Sequence, residues 1–375
     1  MNENPICFPY YAKLAMVLLA IFLIFYGIYV GQEILTPLGF AFLFSILLRP
    51  LEIFITRCRV PKAGAILLSI LFAVMLVYGI VDFISRQIAS FMSDIPAIEK
   101  NLNTLWREIK QWGYQTFGVN YKQQDEMLES AKTGTIDSFG GSSQTFNLIT
   151  ASVLTLTLIP IYVFLFMYYR PMLLQFLVDL FKEEYGERVR EVIREIKNVI
   201  QHFVVGLLIE TGIVAAANTV GLLVIGAPYA ALLGILGALL NMIPYIGGIV
   251  QLIFSALVIY SNTGSISLLI WSTTILLIVQ FIDNNILVPW IIGNKVQLNS
   301  LISIIGVLIG GALAGIGGMF LSIPVLAICK VVFDRVDDLK PWGRLFGTDD
   351  NASKSYMKIP KRRKKIPPPT IPPPA

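Results

Sequence analysis

The sequence predicts an all-α, polytopic membrane protein with about eight membrane segments, a broken helix near Pro244 and amphipathic helices outside the bilayer. Three observations lead there. The 375 residues are 55% hydrophobic and only 14% charged, against about 25% charged in soluble domains. The mean hydropathy is positive. The charges crowd into a few windows and are missing from others, which match the roughly 20 apolar residues a helix needs to cross a bilayer.

In chain order, an N-terminal membrane unit occupies 1–84. Its first segment, 11–30, has an apolar core longer than that of a signal peptide and no small-x-small site after it, so it reads as an uncleaved span. Residues 34–48 are interrupted by Pro37 and Gly39 and lead into Arg49, Arg57, Arg59 and Lys62, which suits a tilted span or part of a helical hairpin. Residues 63–84 form a clean third span. An extracytoplasmic region follows over 85–146. There Ile88, Phe91, Ile95, Ile98, Leu102, Leu105, Ile109 and Trp112 repeat by threes and fours, the seam of a helix packed on a partner. A bend is expected at Pro96 and a flexible Gly/Ser-rich linker at 134–143. The region reads as a ligand-capturing lid or as an amphipathic support, and the absence of a polar cluster in the seam favours support.

The fourth span, 147–170, carries Thr150, Ser152, Thr155 and Thr157 ahead of Pro160. Such hydroxyls can recover backbone groups freed by the proline. Residues 171–202 form an amphipathic helix, interfacial or packed under the bundle, in which Glu191 and Glu195 are expected to pair with Arg194, Arg190 and Arg188 at helical spacing. The membrane core is 203–333. It comprises a fifth span over 203–225 holding Glu210, and a stretch 230–260 too long for one straight span and broken by Asn241, Pro244, Gly247 and Gly248. A span over 266–288 and a last one over 300–332 complete it. In the last, Gly306 with Gly310 and Gly311 with Gly315 stand at the Gly-x-x-x-Gly spacing of close helix packing. Residues 334–375 form a polar, basic, Pro-rich tail.

An even number of crossings puts both termini on one side. The loop bearing Arg49, Arg57, Arg59 and Lys62 and the basic run 361–365 share that side, so positive-inside bias makes it cytoplasmic. Much of the net charge of +5 sits in that tail, which fits a membrane face better than nucleic acid. No disulfide is expected of Cys7, Cys58 and Cys329.

Residues 280–289 read Gln-Phe-Ile-Asp-Asn-Asn-Ile-Leu-Val-Pro and end an apolar run. A carboxylate inside a span costs roughly 2.5 to 3.5 kcal/mol on insertion scales, so it usually faces other helices or a watered cavity. Asp283 and Glu210 are therefore the candidates for a transport pathway, with Asn284, Asn285, Gln280 and Asn241 as hydrogen-bonding partners. Pro244, Tyr245, Gly247 and Gly248 would form a broken helix that gates it. The alternative leaves Asp283 hydrated near the interface beside Lys295. His202 is the one histidine, His-Glu-x-x-His is absent and no cysteines are paired, so neither metal nor cofactor is expected. The glycines of 310–318 lack the Lys and Ser/Thr of a phosphate loop, which argues against ATP-driven transport, and enzyme chemistry is not expected.

Ile-Pro-Tyr-Ile-Gly-Gly at 243–248, the 280–289 stretch, Ile292-Gly293, Gly-Gly-Ala-Leu-Ala-Gly-Ile-Gly-Gly at 310–318 and Ile323-Pro324 follow one another in a series that resembles the autoinducer-2 exporter family of PerM-like permeases. The resemblance runs over about 206–324. It implies a bacterial inner-membrane permease that exports a small solute such as autoinducer-2 or exchanges a monovalent cation such as sodium for protons. It also implies a homo-oligomer, with a pentamer among the forms to expect. Two positions depart from the pattern: Asp283 stands where many relatives have Glu, and Leu207 where many have Gln. The residues themselves leave three classes open: a secondary transporter working between the lipid bilayer, a small solute and H+ or Na+; a passive channel; and a membrane scaffold or regulator without transport.

Overall fold

The computed structural model describes residues 9–93, 157–243, 246–291 and 298–347, and these are helices joined by short connections. The seam beyond Ser93, the linker at 134–143, the fourth span before Thr157, Pro244, Tyr245, Lys295 and the tail from 348 onward lie outside the described residues. In order the helices are α1 (Tyr10–Val30), α2 (Gln32–Leu47), α3 (Arg49–Arg57), α4 (Lys62–Ser93), α5 (Thr157–Tyr168), α6 (Arg170–Asp179), α7 (Gly186–Val224), α8 (Ala230–Asn241), α9 (Ile246–Thr263), α10 (Ile266–Ile282), α11 (Val288–Ile291), α12 (Ser300–Arg335) and α13 (Lys340–Phe346). Among the described residues, six stretches are long and apolar enough to cross a membrane, or up to eight if each bent pair is one span. The chain is a multi-pass, all-α membrane protein.

The two bent pairs have one cause. α2 and α3 meet at 44°, α5 and α6 at 65°, and Pro50 and Pro171 each stand in the first turn of the second helix. There a missing N–H is no loss, while the ring blocks continuation of the helix before it.

The 39-residue α7 is the mast of the bundle, about 58 Å long at 1.5 Å per residue. It joins what the sequence divided near His202 into an amphipathic helix and a span. Nothing in Ile200-Gln201-His202-Phe203-Val204 stops a helix, and the break falls earlier, at the 3₁₀ turn Glu183–Tyr185. Along the mast, Ile200, Phe203, Val204 and Leu207 pack with Leu43 of α2 and with Val307 and Ile323 of α12. Further on, Leu222 packs with Ala230, Leu233, Val258, Ile259 and Leu276 of α8, α9 and α10. A third cluster ties α2 to α4 and α5 through Ala41, Leu48, Ile66, Ile70, Val163 and Met167.

Two segments taken from the sequence as crossings fold back on themselves. α8 and α9 form the first hairpin. A Cβ on Gly237 would lie 2.3 Å from the Gln251 side-chain amide and one on Gly247 1.9 Å from the Leu240 carbonyl oxygen, so the arms are closely packed and meet backbone to backbone at Gly247. α12 is the second. It breaks at Ala314 (φ −145°, ψ 28°) and Gly315 (φ 58°, ψ −145°), the latter a conformation close to glycine-only backbone. Its arms run back along each other, Gly306 against Leu326, Gly310 against Gly318 and Gly311 against Met319. The Asn299 N–H also bonds to the Phe346 carbonyl at 2.8 Å, closing the hairpin's open end. The Gly-x-x-x-Gly spacings thus seat one arm of α12 on the other. Each hairpin returns to the end it left.

The hairpins enter from opposite ends of the mast. Ala230 and Val258 lie near Leu222, whereas Arg335 reaches Glu191 at 2.8 Å and Glu195 at 2.5 Å. These two glutamates therefore pair across the fold and not with Arg194, Arg190 or Arg188 on their own helix. Arg188 instead donates to the Arg335 carbonyl and to Asp337 at 3.3 Å. A guanidinium on the last carbonyls caps α12 and meets its dipole. Arg335→Gln is expected to lower the melting temperature slightly, with a loss of no more than about 1 kcal/mol for such exposed pairs, and the difference should shrink in high salt. Thermal unfolding in detergent at low and high salt reads this. Lys340, then Arg188, holds the Asp337 carboxyl below its ordinary range. That contribution is present above the ordinary carboxylate pKa, about 4, and is lost as pH falls through the lowered one.

Candidate functional site

Glu210 sits on α7, about 21 Å from its Val224 end at helical rise, between the two apolar clusters that grip the mast. Asn241 is the last residue of α8, where the first hairpin turns. Asp283 follows the last residue of α10 and opens the π-helical stretch Asp283–Leu287. Three elements thus bring three polar side chains to one point inside the bundle. Glu210 is 3% and Asp283 1% exposed.

The Asn241 amide bridges the two acids. Its Nδ2 donates to Glu210 Oε1 at 3.2 Å and to Asp283 Oδ2 at 2.8 Å. An amide nitrogen carries two hydrogens, so both bonds can stand together, and flipping the amide would turn an acceptor toward acceptors. Asn241 Oδ1 in turn accepts from Gln280 Nε2 at 3.2 Å, and the same nitrogen reaches Asn284 Oδ1 at 3.5 Å. Glu210 and Asp283 therefore stand on either side of one amide nitrogen. Asp283 Oδ1 accepts from no amide or hydroxyl among the described residues.

The π stretch explains why neighbouring residues part company. The Val288 N–H bonds to the Asp283 carbonyl, five residues back, and Pro289 then follows without an N–H to give. The widened turn keeps Asp283 inward while Asn284 and Asn285 are exposed. Asn285 donates to its own helix, at the Phe281 carbonyl, 2.8 Å away. Of the sequence candidates, Asp283, Glu210, Asn241 and Gln280 converge, Asn284 stands at their edge and Asn285 points elsewhere. Gly248 makes room for Gln280, since a Cβ there would lie 2.9 Å from its Oε1. Gly247 lets α9 start against α8, while Pro244 and Tyr245 fall outside the described residues. Gly306, Gly310, Gly311 and Gly315 belong to the second hairpin, away from the acids. Leu207 lies in the apolar cluster.

Among the buried polar residues that the sequence reading did not single out are Asn218 on α7, and Gln251 and Ser255 on α9. Each is a polar side chain within an otherwise apolar helix, the same signal that singled out Asp283. Among the described residues, no group of His, Cys, Asp or Glu is arranged to hold a metal ion. Asn241→Leu removes the bridging donor while two carboxyls stay buried, and is expected to cost about 1–3 kcal/mol, read as a lowered melting temperature in detergent.

A helical bundle with buried carboxyls beside a broken hairpin has the parts of a transporter, and the sequence profile of the AI-2E family transporter matches residues 17–338. The chain belongs to the AI-2E transporter family. It is similar to YueF of Bacillus subtilis (strain 168), 25% identical over 309 residues covering 78% of this chain and 80% of that one. YrrI of the same organism is 24% identical over 312 residues, 80% and 86% of the two chains. The AI-2 transport protein TqsA of Escherichia coli (strain K12) is 24% identical over 331 residues, 86% and 92% of the two chains. The names of all three place them in transport. This AI-2E family member is a membrane transport protein.

Proposed function

We propose that the protein is a gradient-driven secondary transporter in which the Glu210–Asp283 pair carries the coupling proton. The observation that carries this reading is the single Asn241 amide holding two buried carboxyl groups together at the break of a hairpin. Two carboxyl groups that share one amide nitrogen lie close together, and like charges that close resist full ionisation. Releasing the proton would leave two negative charges sharing one amide, and that state draws in a cation or a polar solute rich in donors. Hairpins entering from opposite ends supply an element on each side of the pair that can open in turn, in the manner of broken-helix transporters.

The solute we favour is small and polar, with autoinducer-2 a candidate because TqsA is named for it. Exchange of a monovalent cation for protons uses the same residues. The bacterial inner membrane, cytoplasmic termini and a homo-oligomer belong to this reading. α1, whose apolar side chains are exposed along its length, offers a surface to lipid or to other copies. The test is flux in proteoliposomes under imposed pH and sodium gradients, with autoinducer-2 and alkali cations as solutes. Uphill, saturable movement that collapses with the gradient is expected. Strictly downhill, non-saturating movement would make the protein a channel, and no movement of any tested solute would favour a scaffold.

A further inference from the structure

Far from the acid pair, at the end of the mast that carries Lys197, lies a cavity of about 1010 Å³. α6 forms its outer wall. Bent 65° away from α5 and with none of its residues buried, α6 stands off the bundle and leaves a space between itself, α2, α3, α5 and α7. Five cations line that space, Arg49, Arg170, Arg190, Arg194 and Lys197, with Glu52 as the one acid among the lining residues. Glu52 is bonded to Arg49, and Arg190 reaches Glu187 at 3.5 Å. Among the described residues, Arg170, Arg194 and Lys197 have no ion pair. Arg170 feels the positive charge of Arg49 and, more weakly, the negative charge of Glu52, while Lys197 feels the positive charges of both Arg170 and Arg49.

Five cations against one acid in a partly closed space favour an anion there. The rest of the wall is apolar, with Phe42, Phe166, Leu173, Leu174, Ile193 and Ile196. A free inorganic anion would use only the basic end of so large a cavity, which lies at the top of the roughly 300–1,000 Å³ range of ligand sites. A molecule with a phosphate head and hydrocarbon behind it would use both. Met172 and Phe176 on α6 and Leu180 just after it are exposed, as suits a helix lying among lipid chains. We propose that the cavity beneath α6 is a binding site for an anionic phospholipid, its phosphate held by Arg170, Arg194 and Lys197 and its chains against the apolar wall. Basic pockets between membrane helices are the known chemistry for such headgroups.

The test titrates the full chain, in neutral detergent, with dioleoyl phosphatidylglycerol, dioleoyl phosphatidylcholine or inorganic phosphate and counts bound molecules by native mass spectrometry. The first phosphatidylglycerol is expected to bind at least about tenfold more tightly than phosphatidylcholine, the scale of one charge-assisted contact. Arg170→Gln combined with Lys197→Gln should erase that preference, and millimolar phosphate should leave the lipid in place. Equal affinity for the two lipids, or an unchanged preference in the double variant, overturns the proposal. Displacement of phosphatidylglycerol by phosphate also overturns it, in favour of a free-anion site. Should the double variant fail to fold, Arg194→Gln, at an exposed position, is expected to reduce the preference by about threefold, and an unreduced preference there overturns the proposal equally.

Discussion

Asp283→Asn is expected to abolish gradient-coupled flux while leaving the fold in place. Asparagine has the same shape, and its oxygen can still accept from Asn241 in place of Asp283 Oδ2. The network therefore survives the exchange; what is lost is the group that gives up a proton. A positioned proton-transfer group is worth about two orders of magnitude in rate, and a coupled flux reduced by about that much, with an unchanged melting temperature, is the predicted result. Asp283→Glu keeps the acid on a longer arm, the residue that the family resemblance places there in many relatives, so this variant should retain coupling. Glu210→Gln should behave as Asp283→Asn does, because either amide breaks the same proton-sharing pair. Downhill exchange of solute need not vanish with coupling, so uphill accumulation under an imposed pH gradient is the measurement that matters. If the Asp283→Asn variant still accumulates solute against its gradient, protons do not pass through this pair.

The acids and their partners were legible in the sequence for a reason that does not depend on the fold. A polar side chain in a lipid-soluble helix needs a partner, and Asp283, Glu210, Asn241 and Gln280 supply one another. Asn285 failed the same reasoning because a π turn, not the α period, governs 283–287. The pairs made by Glu191 and Glu195 failed because local spacing offered arginines on the same helix, while Arg335 arrives from 140 residues onward or more. The hairpins were hidden for a deeper reason. Hydropathy measures how well a stretch suits lipid and is blind to its direction, so an apolar run that doubles back reads like one that crosses. The direction of α12 is set by the backbone at Ala314 and Gly315, and its return path by glycines whose spacing serves equally for contact with another helix.

That return path makes Gly318→Ala the substitution with the largest expected effect on stability. The added methyl would sit 2.0 Å from the Gly310 carbonyl oxygen and 2.8 Å from its carbon. Both are backbone atoms, so no side chain can swing aside, and the arms of α12 have to separate. Parting them also pulls Val307 and Ile323 from the cluster they share with Leu43, Phe203 and Leu207 on α2 and α7. Overpacking of a close-packed contact costs typically 1–3 kcal/mol and sometimes more, and with rigid atoms on both sides the cost here is expected at about 3 kcal/mol or above. Gly212→Ala is the control. It lies on α7 with nothing within 4 Å of the added carbon, so alanine's better helix propensity should leave the protein unchanged or steadier by up to about 1 kcal/mol. Melting temperatures of the two variants in the same detergent should therefore move apart, Gly318→Ala down and Gly212→Ala level or up. Equal melting temperatures would mean that the arms are not in contact in the folded protein, and the second hairpin would then have to be redrawn as a span.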